Sequence, residues 1–135
     1  GVVAGIKGTA PAAAPSGIEH PFTAKFEETG VDKIFSSYFY DCTNLLALAI
    51  YAADSEDGTE IAEAFAGNLE GDNDCQTFAE CKEFLDAGET IHYRGASSSF
   101  DQWDEMEPGT GVYDVWQYAD DASVETIEGE QITIE

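Results

Sequence analysis

The side chains of this chain that could do chemistry are its carboxylates, two histidines and three cysteines. With 28 Asp and Glu in 135 residues, carboxylate pairs arise by chance, so no glycosidase-like acid and base can be inferred from their presence. His20 and His92 lie far apart and outside any recognisable motif. The chain has no G-x-S-x-G elbow, no phosphate-binding glycine loop and no H-E-x-x-H helix. Catalysis is therefore not expected, and neither is a cofactor. Asp72-Asn73-Asp74 and the stretch Asp101 to Glu107 are the places where a calcium loop would be sought. Neither has the ligand spacing and glycine that such a loop needs, so a solvated acidic surface is the simpler reading and no metal site is expected. Cys75 and Cys81 stand six residues apart, without the paired spacing or the ligand number of a zinc site. A disulfide between them, closing the start of a helix, is the preferred reading and points to an oxidising compartment. Cys42, set in an apolar helix, reads as an inert core residue.

These groups must be carried by elements that the pattern of the chain predicts. The run GVVAGIKGTA has the β-branched residues and glycines of a strand, and Pro11 and Pro15 mark an extended linker after it. Pro21 suits a first helical turn, with Phe22 and Phe26 on one face of a helix from about His20 to Thr29 that Gly30 stops. DCTNLLALAIYAAD is apolar around nearly its whole circumference, predicting a helix buried on most sides. Asp57 with Glu60 and Thr77 with Glu80 each open a further helix, stopped by Gly67 and Gly88. Phe78, Cys81, Phe84 and Leu85 point inward from the second of these. Ser98 to Trp103 and Gly111 to Tyr118 read as the strands of a hairpin, with Ser123 to Ile127 and Gln131 to Ile134 as further strand runs. The fold class is α/β: strand and linker over 1–15, helices over 20–88, hairpin and terminal strands over 98–135. The flanking strands offer few partners to the helices between them, so the segment reads as incomplete alone.

Charge bounds the partners. Against 28 acids stand 5 Lys and Arg, a formal net charge of -23, which opposes a nucleic-acid backbone or an anionic bilayer. No run reaches the roughly 18 apolar residues of a membrane span. The chain opens on Gly-Val-Val without an initiator Met, and so reads as a processed product or a fragment.

Several runs together carry a resemblance. GVVAGIKGTAPAAAP, FYDCTNLLALAI, DGTEIAEAF, CQTFAECKEFLDAGE and IHYRGASSSFDQWDEMEPGTGVYDVWQY resemble, in the same order, the carboxy-terminal third of branched-chain amino-acid type (type I) periplasmic solute-binding proteins. The resemblance implies the late segment of a two-lobed α/β receptor for an ABC importer, outside the cytoplasm, contributing to both lobes and missing its amino-terminal part. The implied partners are a small ligand such as an amino acid and the permease. It also implies a cleft aromatic at Tyr40, where ordinary core packing is the alternative, with Tyr38 as the second candidate. Asp41 is the candidate carboxylate, with a solvated or helix-capping role as the alternative. The same fold acting as a ligand sensor for a signalling partner, and an acidic salt-adapted domain without a ligand, are the competing expectations.

Overall fold

The longest apolar run of the chain lies in an 18-residue helix that packs on two others. The computed structural model describes residues 2–31, 35–104 and 107–134, without the side chains at 103, 104, 107, 108 and 128. The architecture is mixed α/β, in the order β1 (Lys7–Pro11), α1 (Pro21–Glu27), α2 (Ser36–Ala53), α3 (Gly58–Gly67), β2 (Asn73–Cys75), α4 (Phe78–Asp86), β3 (Ile91–Tyr93), β4 (Trp103–Asp104), β5 (Glu107–Pro108), β6 (Gly111–Tyr118) and β7 (Val124–Ile134).

Local chemistry accounts for the helix starts. His20 caps α1, its ring Nδ1 accepting from the Phe22 N–H at 3.0 Å, with Pro21 at the first position, where a missing N–H is harmless. Phe22 and Phe26 stack along one face, ring centroids 5.2 Å apart. Asp57 Oδ1 accepts from the Thr59 and Glu60 N–H groups at the start of α3, and Thr77 Oγ1 accepts from Glu80 N–H at the start of α4.

Two bodies result. In the first, α2 packs on α3 and α4, and α4 covers the parallel pair β2–β3 that it connects. Leu45 and Leu48 of α2 meet Leu69, Cys75, Cys81, Ile91, Tyr93 and Phe100 in its core, with Phe78, Phe84 and Leu85 packed at the margin. The Cys75–Cys81 disulfide forms and ties the end of β2 into α4. The second body is a three-stranded antiparallel sheet with β6 at its centre, flanked by β1 and β7. Gly8 lies opposite Trp116 in that sheet. A Cβ there would come within 2.3 Å of the indole ring, so the indole lies on the strand only because position 8 has no side chain.

Three expectations are corrected. The hairpin is β6–β7, not Ser98–Trp103 with β6: residues 98–102 form no strand, and the short β4 pairs with β5. The turn between β6 and β7 suits the acidic sequence, since Asp121 accepts from both the N–H and the hydroxyl of Ser123. α2 is not buried on most sides, because a 3.6-residue repeat places Phe39, Leu46 and Ile50 on one outward face, 71%, 48% and 46% exposed. Cys42 is exposed as well. It sits at the margin of that face rather than in the core. Residues 105 and 106, within the expected turn and acidic loop, lie outside the described residues.

The Cys75–Cys81 bridge closes a loop of 6 residues, which by chain entropy corresponds to about 2 kcal/mol. Equilibrium denaturation with and without a thiol reductant is expected to show a stability loss of that size, with the β2–α4 segment exchanging amide protons first.

Candidate ligand cleft

Asp41 is the centre from which the candidate site is built. It lies one turn into α2, is 2% exposed, and points at the loop after β3. Its Oδ1 accepts from the Tyr93 hydroxyl at 2.9 Å and the Ala96 N–H at 2.8 Å. Its Oδ2 accepts from the Ser97 N–H at 2.7 Å and from the Ser97 hydroxyl. A carboxylate has about four lone-pair sites, and protein donors occupy all of them. The loop can approach this closely because residue 95 is glycine: a Cβ there would fall 2.5 Å from Asp41 Oδ2 and 2.6 Å from the Phe100 ring. The same loop carries Phe100 in the left-handed region at φ 56°, a conformation unfavourable for an aromatic residue. It is held by Gly95 N–H donating to Ser98 O at 2.9 Å and Phe100 N–H donating to Ser98 Oγ at 3.2 Å.

This network forms part of the floor of a cleft of about 430 Å³ between the helical body and the three-stranded sheet. α2 contributes Tyr38, Asp41, Cys42 and Leu45 to its walls, α3 contributes Phe65, and the loop contributes Ser97, Ser98 and Phe100. The sheet side supplies Pro11, Tyr113 and Ile134, and the turn before β6 supplies Gly109 and Thr110. The lining is mainly aromatic and aliphatic with a few hydroxyls, the composition of a small-molecule pocket, and its volume is in the usual range. Burial, then the neighbouring Tyr113 phenol and the carboxylates of Asp114 and Asp41, raise the Tyr38 phenol above its ordinary pKa, so Tyr38 stays a neutral hydroxyl. The chain crosses between the two bodies twice, after β1 and before β6.

The structure places the three expected site residues on two sides of α2. Tyr38 and Asp41 line the cleft, while Tyr40 faces the opposite groove, beside Phe22, Phe26 and Asn44. The Tyr40 ring stacks on Phe22 at 4.3 Å and meets the edge of His20 at 5.4 Å. Asp41 is neither solvated nor at a helix end. His20 is spent on the fold: its Nδ1 accepts from Phe22 N–H, so Nε2 is the donor to Gln76 O at 2.8 Å. Among the described residues no three of His, Cys, Asp and Glu are grouped to hold a metal ion. In the acidic stretches, Asp74 and Asp101 both pair with Arg94.

Comparison with protein-family models, curated proteins and solved structures returned no match. Sequence reasoning missed Ser97, Ser98, Phe65, Phe100 and Tyr113 as cleft residues. The available signal was the Tyr93-Arg-Gly-Ala-Ser97 run, whose glycine and small residues mark a tight loop directly after a strand.

Asp41→Ala is expected to lower stability by about 3–5 kcal/mol in urea denaturation, because four buried donors lose their acceptor. Asp41→Asn is expected to fail as a rescue, since whichever oxygen it replaces, its amide would point a donor at a donor. Burial first and Asp41 second hold the Tyr93 phenol far above its ordinary value. A raised folded-state pKa contributes stability that is complete below the unfolded value near 10 and is lost as pH rises beyond it. Stability of the wild type is expected to fall above about pH 10, and Tyr93→Phe, which gives up about 1.5–3 kcal/mol at neutral pH because its partner is a buried carboxylate, is expected to fall less steeply over the same range.

Proposed function

We propose that this chain is the late segment of a type I solute-binding receptor for an ABC importer, and that it helps to hold an amino acid or similar small polar ligand in the cleft between its helices and its sheet. The observation that carries this reading is the Asp41 network. The runs FYDCTNLLALAI and IHYRGASSSF, which resemble that family in sequence, meet in space through Asp41, Tyr93, Ala96 and Ser97, and the place where they meet forms part of the floor of the cleft. Two crossings between two bodies also suit a receptor that closes by hinge motion. The role is capture and delivery rather than turnover, with the permease and the remainder of the receptor as partners.

An extracytoplasmic location is part of the same proposal. The disulfide is compatible with it, and no described helix is long and apolar enough to cross a membrane.

Thermal unfolding of the oxidised protein against a panel of amino acids, amides, short carboxylic acids, amines and quaternary ammonium compounds tests the reading. A ligand at 100 times its Kd is expected to add about 2.7 kcal/mol, and Tyr38→Ala is expected to abolish that gain. A panel without any stabilising compound counts against a receptor.

A further inference from the structure

Resting on the reading of the cleft as a ligand site, we infer that its occupant is a small organic cation whose ammonium group lies against the rings of Tyr38 and Tyr113. Among the described residues that line the cleft, none is Lys, Arg or His. Lys7 pairs with Glu130, Lys82 with Asp86, and Arg94 with Asp74 and Asp101, so these cations are engaged away from its walls. A ligand carboxylate would thus enter beside Asp41, with no positive side chain on the described walls to receive it. An ammonium group meets the reverse situation, because aromatic faces carry negative potential and attract it, and the carboxylates that raise the Tyr38 phenol add to that potential.

The same chemistry argues against a metal cation. Hard cations need several free oxygen ligands, whereas the carboxylate in the described cleft wall already accepts four protein donors. Rings take its place, and rings suit a soft, weakly hydrated organic cation. The net charge of -23 raises the local concentration of any cationic ligand and speeds its encounter, in a manner that salt screens.

Isothermal titration of the oxidised protein at moderate salt tests the class. Choline supplies a compact quaternary ammonium, 3,3-dimethyl-1-butanol is its neutral isostere, leucine is a zwitterion and glutamate an anion. Choline is expected to bind about ten-fold or more tightly than the isostere. Tyr113→Leu is expected to weaken choline by about ten-fold, and Tyr113→Phe, which keeps the ring, to change it little. Tyr38→Phe and Tyr38→Leu provide the same contrast on the α2 wall if a sheet substitution disturbs folding. Equal binding of choline and its isostere overturns the cation. Binding of leucine or glutamate without choline also overturns it but leaves the cleft as a ligand site, and binding of none of the four overturns the cation, the cleft itself falling as a ligand site only if the wider panel is silent too.

Discussion

One buried carboxylate organises the part of this molecule where function is sought. Asp41 is withdrawn from water on α2 and satisfied by a phenol, two peptide N–H groups and a hydroxyl that all come from residues 93–97. Burying a charge in this way is costly unless every lone pair is met, and meeting them fixes the position of the loop relative to the helix. Ser98 and Phe100, further along that loop, inherit their positions from it. The carboxylate draws Gly95 against the helix and so places the start of a loop whose own hydrogen bonds hold Phe100 in a left-handed backbone conformation. One face of the cleft is therefore built by an interaction whose lone pairs are already met within the protein.

The opposite face is built by a different device. β1 comes from the start of the chain and β6 and β7 from its end, and their pairing sets Pro11, Tyr113 and Ile134 across from α2. The helical body is stapled by a disulfide and has an apolar core of its own. In the sheet, Val115 is the buried strand residue among those described. Each body has its own internal order, and the space between them is bounded by side chains from both.

What could be read from the sequence was local. The spacing of Cys75 and Cys81, the caps at Asp57 and Thr77, and the phenylalanine pair of α1 concern residues at most six positions apart, and all are present as expected. The strand pairings were harder, because β1 and β6 lie about a hundred residues apart and alternation along a strand does not say which strand will be its neighbour; hence the expected hairpin fell on the wrong segment. The outward face of α2 was misjudged for a related reason: Leu46 and Ile50 are as apolar as Leu45 and Leu48, so composition alone could not tell which side the core would take. At the candidate site, Tyr38, Tyr40 and Asp41 were singled out together as neighbours in sequence. A helix sends residues two apart to nearly opposite sides, which separates Tyr38 from Tyr40, and the partners of Asp41 lie 52 to 56 residues away.

The exposed Cys42 has a practical side. Of three cysteines in the chain, two are locked together, leaving a single thiol, and that thiol stands on the cleft wall four residues beyond Tyr38. A maleimide fluorophore attached there would report on the environment of the cleft wall from a native residue, without redesigning the protein.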